Sequence, residues 1–309
     1  MRKTDLDPNK HWYGFALSLL TALLWGVLPI FLKLSLEVMD AVTITWYRFL
    51  VAGVFVFIVL YKSRSLPQLA VIKSRKGGWL ILVSFLLVAN YVSYVQGLEY
   101  LNPESALVIM QLAPFLLMLG SIIFFSERFS RLECVGACLL LLGLILFFND
   151  RLATLFLALN EYTLGVLIIV FSAVAWAGYA LMQKSLLKSF SAKQLTLYIY
   201  LIGMLMLLPF VNVQLLSGLD AVHVFALIFC CLNTIVGYGA FTEALSIWQA
   251  SKVGAIITLA PVFTFISMYF AVEFMPQHFV ASELDKWAYI GGAIVVMGSA
   301  ITSLGKASR

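Results

Sequence analysis

The sequence predicts an all-α polytopic membrane protein, ten transmembrane helices arranged as two inverted five-helix repeats, and three observations lead there. Hydrophobic residues make up 62% of the 309 and charged residues 11%, with a mean hydropathy of +1.00, far outside the balance of a water-soluble domain. The apolar residues gather into ten runs, most near the roughly 20 residues that a spanning helix needs. The second five runs weakly repeat the first five.

In chain order the runs are 13–33, 42–61, 79–98, 104–125, 133–148, 163–184, 195–213, 223–244, 253–273 and 287–304, each bounded by charges or turn residues. Backbone polar groups in lipid must be satisfied within the structure, so runs of this length are read as helices rather than strands. The first follows a basic tail (Arg2, Lys3, Lys10) that imitates a secretory signal. From Tyr13 to Lys33 it is too long for one, and more apolar runs follow, so it is read as an uncleaved first span. The fourth opens on Asn102-Pro103, an N-cap followed by proline at the first helical position. The fifth and seventh open on Ser130-x-x-Glu133 and Ser191-x-x-Gln194, which have capping-box form.

Orientation follows from the basic residues. With the N-terminus inside, sixteen of the 20 Lys and Arg fall on the inner side, while Lys33, Arg151 and Lys286 fall outside and Arg48 lies within span two. This obeys the positive-inside rule, so both termini are expected in the cytoplasm of a cell whose inner (plasma) membrane holds the chain.

The repeat divides the chain into residues 1–150 and 151–309. A shift of 151 aligns Gly14, Ala22, Trp25 and Lys33 with Gly165, Ala173, Trp176 and Lys184. A shift of 147 aligns Tyr91, Leu98 and Leu112-Ala113-Pro114 with Tyr238, Leu245 and Leu259-Ala260-Pro261, and 155 aligns Gly136 and Gly143 with Gly291 and Gly298. Five spans is an odd number, so the second copy is expected upside down. Inverted repeats are an architecture of secondary transporters, with substrate near the midplane between the halves.

Other functions are disfavoured by what the residues lack. The net charge of +5 comes with no dense basic tract on a soluble domain, so lipid and a small-molecule substrate are the expected partners, not nucleic acid. Cys134, Cys138, Cys230 and Cys231 lie in apolar stretches without Cys-x-x-Cys spacing, which points to packing rather than a disulfide frame or zinc site. An intramembrane enzyme needs a nucleophile with its base, or metal ligands, at membrane depth. His11, His223 and His278 all fall at span ends or in loops, with no His/Asp/Glu cluster visible. No catalytic, metal or cofactor site is therefore expected. With no G-x-x-x-x-G-K-[ST] loop, transport by this chain alone has to follow a gradient.

Ala22-Leu-Leu-Trp25-Gly26 and Ala173-Val-Ala-Trp176-Ala177, Tyr47-Arg48-Phe49, Leu112-Ala-Pro114 followed by Ser126-Glu127-Arg128, and Gly136-x6-Gly143 together resemble the EamA family of the drug/metabolite transporter superfamily. The resemblance covers nearly the whole chain. It implies ten helices, both termini cytoplasmic, and a central cavity walled by helices one to four and six to nine, with five and ten peripheral. It also implies export of amino acids, metabolites or toxic compounds, with uptake permeases and nucleotide-sugar exchangers as relatives in the wider superfamily. The second half departs from the pattern: span seven has no Arg, and a long segment separates Glu273 from Asp285.

The substrate-cavity candidates are Trp25, Arg48, Asn90, Tyr91, Tyr94, Gln96, Trp176, Tyr238 and Glu243. A charge as deep as Arg48 costs a few kcal/mol on insertion scales unless paired or hydrated. It is read as a cavity cation for a carboxylate, against snorkelling or a contact to Glu99 or Glu104. Span three offers Asn90, Tyr91, Ser93, Tyr94 and Gln96, and span eight offers Asn233, Thr234, Tyr238 and Glu243. These groups suit a pocket, and they suit interhelical hydrogen bonds as well. Trp25 and Trp176 are too deep for interface anchors, which leaves cavity walls or core packing. Pro114 and Pro261 predict a kink or hinge about ten residues into their spans. Glu127, Glu243 and Glu273 lie near span ends, where carboxylates are solvated or, less commonly, couple protons. The glycines of spans five and ten look like packing surfaces, or dimerisation surfaces for a homodimer through those helices.

Overall fold

A computed structural model describes residues 8–68, 71, 75–125, 130–151, 160–213, 219–248 and 250–305. Ser126-Glu127-Arg128 and the basic residues Arg2 and Lys3 lie outside them. Among the described residues the regular structure is helical, with no strand: α1 (Pro8–Leu36), α2 (Ala41–Lys62), α3 (Arg75–Tyr100), α4 (Pro103–Met110), α5 (Leu112–Phe125), α6 (Arg131–Phe147), α7 (Glu161–Leu186), α8 (Ala192–Leu207), α9 (Ala221–Ile247), α10 (Ala250–Ile257), α11 (Ala260–Phe274) and α12 (Lys286–Gly305).

The starts obey their local chemistry. Asp40, Asn102, Asn160 and Asp220 each accept a backbone N–H of the first turn they precede, and both Ser130/Glu133 and Ser191/Gln194 close reciprocal capping boxes, satisfying donors a helix start leaves free. The helix α8 stops at Leu207, short of the expected 213, because Pro209 follows.

Two expected spans are broken. Helix α4 ends at Met110 and α10 at Ile257, and each is the residue four before a proline, Pro114 or Pro261. A proline ring clashes with that carbonyl and has no N–H to offer it, so the break falls in the turn before the proline. Among the described residues eight stretches are long and apolar enough to cross a membrane, and Pro103–Leu117 is a shorter apolar helix. With 17 residues, α6 extends only about 25 Å at 1.5 Å per residue. The chain is a polytopic membrane protein. Side chains such as Phe57, Phe171, Phe225 and Leu232 are exposed on its outer faces, where lipid accepts them.

Close helix contacts occur at small residues. Helices α6 and α12 cross antiparallel: a Cβ on Gly136 would lie 2.7 Å from Gly298 O, and one on Gly143 would lie 2.8 Å from Gly291 O. The glycine faces therefore meet inside the chain, and a second copy docking on these helices would have to use their outer faces. Gly26 lets α1 approach α11, where a Cβ would meet Ala260 O at 2.5 Å and where Thr264 Oγ1 donates to Gly26 O at 2.7 Å. Helix α1 also packs on α9, α3 on α7, α2 on α8 and α5 on α7. Of the cysteines, all free, Cys230 and Cys231 are buried as expected, whereas Cys134 and Cys138 are exposed on α6.

One face of the bundle, where α1, α3, α6 and α11 end, is tied shut by polar contacts. Lys33 Nζ donates to Leu98 O and Leu101 O at 2.9 Å each, placing a cation on carbonyls at and just beyond the end of α3. Asn149 Nδ2 donates to Asp285 at 2.9 Å, and Ser282 Oγ donates to Glu104 at 2.9 Å. The hydrogen bond from Asn149, and then those from the α12 backbone, hold the Asp285 carboxyl below its ordinary value. A carboxyl depressed in this way contributes its stability above the unfolded-state value and loses it as pH falls through the depressed one. That tie is therefore intact throughout the neutral range.

Candidate functional site

Between the helices lies a chamber of about 760 Å³, within the range of small-molecule sites. Its wall is mostly apolar with a few polar groups. From Arg48, Asn90 and Tyr94 deep in the bundle it extends to Glu133, Lys184, Gly254, Thr302 and Ser303, which lie near the helix ends opposite the tied face. The chamber therefore reaches the face where α1 begins.

Arg48 is 3% exposed. Its Nε donates to Thr234 Oγ1 at 3.0 Å, Thr234 Oγ1 in turn donates to Cys230 O at 2.9 Å, and the guanidinium lies 4.5 Å from the centroid of the Tyr91 ring. Thr234 spends its one proton on its own helix, so its lone pair is aimed at the arginine. Among the described residues no carboxylate forms an ion pair with Arg48, and its terminal N–H groups have no hydrogen-bond partner. The contacts to Glu99 or Glu104 weighed from sequence are not made, since Glu104 bonds Ser282 instead. The Tyr94 hydroxyl is buried without a partner among the described residues, and the buried Tyr91 hydroxyl is turned toward Tyr238. One uncommitted cation thus borders the chamber, with the Tyr91 and Tyr94 side chains in the wall beside it.

The other expected wall residues divide. Trp25 and Trp176 both line the chamber, and Trp25 packs against Tyr238 and Phe241 at centroid distances of 5.2 and 5.5 Å. Tyr238 lines it, with its ring 6.4 Å from that of Tyr91. Asn90 lines it too, but its amide is used in the α3–α7 seam, donating to Ser172 O and Ser172 Oγ at 3.0 and 2.8 Å. Pro114 is in the wall, whereas Pro261 is buried behind it.

Gln96 and Glu243 are exposed and do not border the chamber, which corrects two expectations. At about 100° per residue, Gln96 lies roughly 200° around α3 from Tyr94, and Glu243 about 140° around α9 from Tyr238. Phe241 and Leu245, three and seven residues from Tyr238, return to its face and do line the chamber. Glu273 is exposed at the end of α11, and Glu127 lies outside the described residues.

The sequence reading missed Gln111 and Thr258, the polar residues at the two helix breaks. Both line the chamber, and Gln111 Oε1 accepts from Ser299 Oγ at 3.0 Å. Their signal was present as a polar residue three positions before each repeat-related proline. Helices α6 and α12, expected at the periphery, supply Glu133, Thr302 and Ser303 to the mouth, while α8 contributes no wall residue among those described. The expectation of no His/Asp/Glu cluster also fails, because folding brings Glu37, Asp220, His223 and His278 together on the tied face.

Comparison with known proteins agrees with this architecture. A model of the EamA-like transporter family matches residues 12–149 and 163–304. An uncharacterised transporter of Haemophilus influenzae is 38% identical over 293 residues, covering 94% of this chain and 95% of the relative. The uncharacterised inner membrane transporter YhbE of Escherichia coli is 38% identical over 295 residues, covering 94% and 91%. A solved crystal structure superposes with a TM-score of 0.61 over 96% of this chain and 97% of that one, at 18% identity. That likeness speaks to the fold alone.

Proposed function

The chain belongs to the EamA-like transporter family, and on that premise we propose that it exports small organic solutes bearing an anionic group (metabolites, amino acids or toxic compounds) by alternating access across the inner membrane. The observation that carries this reading is Arg48, a buried guanidinium without a counter-ion among the described residues, facing the chamber beside Tyr91 and Tyr94. A cation at that depth costs a few kcal/mol unless compensated, and a bound carboxylate would compensate it with charge-assisted hydrogen bonds.

Two inverted five-helix units, ten spans in all, account for the helix packing. Helix α1 packs on α9 and α11, while its repeat mate α7 packs on α3 and α5. Exchanging Gly136 with Gly291, and Gly143 with Gly298, converts one α6–α12 contact into the other. In this reading the units rock about the breaks before Pro114 and Pro261. The conformation described is open on the side of the N-terminus, with its opposite face tied shut. The basic residues support a cytoplasmic location for both termini, and the name of the Escherichia coli relative supports the inner membrane.

Labelled anionic metabolites loaded into proteoliposomes should exchange faster than through protein-free vesicles. No acceleration for any anionic solute, with cationic solutes moving instead, would refute the reading. Collapsing an imposed proton gradient in the same vesicles separates antiport from facilitated exchange. A fluorescent reporter fused to the C-terminus should fluoresce in cells while an alkaline phosphatase fusion stays inactive. The opposite pattern would overturn the orientation.

A further inference from the structure

On the tied face, Glu37 just beyond α1 meets His223 in the first turn of α9 and His278 in the segment between α11 and α12. Glu37 Oε2 lies 3.1 Å from His223 Nε2 and 2.8 Å from His278 Nδ1, and the three potential ligand atoms lie within 4.8 Å of one another. The other ring nitrogen of His223 lies 2.7 Å from Asp220 Oδ1. His223 therefore stands between two carboxylates, both of which can only accept when ionised. A neutral imidazole can donate to only one of them, so a proton or a metal ion shared between His223 and Glu37 makes the second contact favourable.

We propose that this is a binding site for a divalent transition metal of the zinc type, with Glu37, His223 Nε2 and His278 Nδ1 as ligands. Protons on His223 and His278 would satisfy the same contacts as hydrogen bonds; what favours a metal is that two imidazole nitrogens and a carboxylate oxygen, drawn from both halves of the chain, converge within 4.8 Å. Bond lengths of about 2.0–2.2 Å in a tetrahedral site separate ligand atoms by about 3.3 Å. The observed 2.8 and 3.1 Å need only small side-chain rotations to open to that spacing. Two imidazoles and one carboxylate select zinc, cobalt or nickel over magnesium or calcium, which favour oxygen. Asp220 completes the arrangement. A carboxylate on the far nitrogen of a metal-bound histidine fixes the tautomer that presents Nε2 and strengthens it as a ligand.

The side chain of Glu37 is 34% exposed, against 10% and 16% for His223 and His278, so an ion has access from that face. Glu37 belongs to the first half of the chain and both histidines to the second. A bound ion would clip the halves together there and hold the chamber open on the other side. This consequence, unlike the site, rests on the alternating-access reading.

The test uses the full, tag-free chain in detergent, stripped with chelator and titrated with zinc ion alone. Calorimetry should show one ion per chain at pH 7.5, with cobalt giving the absorption bands of a low-coordinate site. His223→Ala, His278→Ala and Glu37→Gln should each weaken binding at least about tenfold, and Asp220→Asn by about 10–100-fold. Acidification should also weaken it, because the ligands must lose their protons. Each variant is first shown monodisperse by size exclusion, and Glu37→Gln serves if a histidine variant fails to fold. Absence of saturable binding, or binding unchanged in the variants, overturns the site. In proteoliposomes, zinc on the tied face should slow exchange by the native chain and not by His278→Ala. Binding without that inhibition leaves the site standing and refutes the closure it was inferred to hold.

Discussion

Arg48→Ala should raise the concentration of anionic solute needed for half-maximal exchange by about 10–150-fold, the equivalent of losing a hydrogen bond to a charged group, worth about 1.5–3 kcal/mol. The fold should survive. Removing one member of a buried ion pair strands a charge and costs several kcal/mol, but among the described residues the partners of Arg48 are the neutral Thr234 hydroxyl and the Tyr91 ring, and its loss strands no charge there. Arg48→Lys keeps the charge and loses the planar fork, so it should recover part of the affinity. Tyr91→Phe keeps the ring beneath the guanidinium and removes only the hydroxyl, so a change of about 2–12-fold is expected, corresponding to about 0.5–1.5 kcal/mol. Concentration-dependent counterflow in proteoliposomes measures all three, with the thermal midpoint of each variant as control. If Arg48→Ala transports like the native chain, or if its thermal midpoint collapses, the arginine is a structural group and the anion-binding assignment is wrong.

How much of this was legible in the sequence depended on whether the signal was local. Helix starts at Asn102, Ser130 and Ser191 were readable because a cap is decided within four residues. The breaks before Pro114 and Pro261 were readable because proline acts on the turn that precedes it. Which face of a helix looks inward was much harder to read. In a soluble helix the apolar stripe marks the core, but here the outward faces are as oily as the inward ones, with Phe57 and Phe225 exposed beside buried Phe49 and Ala226. Polar residues were then the remaining guide, and they misled where spacing was judged by proximity rather than by angle. Gln96 and Glu243 fell on the outer side of helices whose neighbouring tyrosines line the chamber.

Long-range pairings were not legible at all. Glu37 meets His223 and His278 across separations of 186 and 241 residues, and nothing local to any of the three marks the encounter. The same holds for Thr234 beneath Arg48, 186 residues away. The segment from Glu273 to Asp285 shows how a departure from the repeat acquires meaning only in the fold. Unmatched in the first half, it carries His278, Ser282 and Asp285 onto Glu37, Glu104 and Asn149 across the tied face.

The pairing of α6 with α12 should be the least tolerant contact in the chain. Helices in lipid gain nothing from hiding apolar surface, because the solvent is equally apolar, so they adhere through close packing that small residues permit. At Gly143 a Cβ would lie 2.6 Å from Val295 N and 2.8 Å from Gly291 O. These are backbone atoms with no rotamer to retreat into, so the helices must separate. Gly143→Val is expected to cost about 3 kcal/mol, the upper end of overpacking penalties, and to lower both the thermal midpoint and the yield of monodisperse protein by fluorescence-detected size exclusion. Gly239→Ala is the matched control: a Cβ there meets nothing within 4 Å, and alanine is the better helix former by about 1 kcal/mol, so stability should hold or rise. Equal behaviour of the two variants would mean that α6 and α12 do not meet at their glycines. The exchange of contacts that supports two inverted units would then go with it, and the glycine faces would again be free for a second copy of the chain.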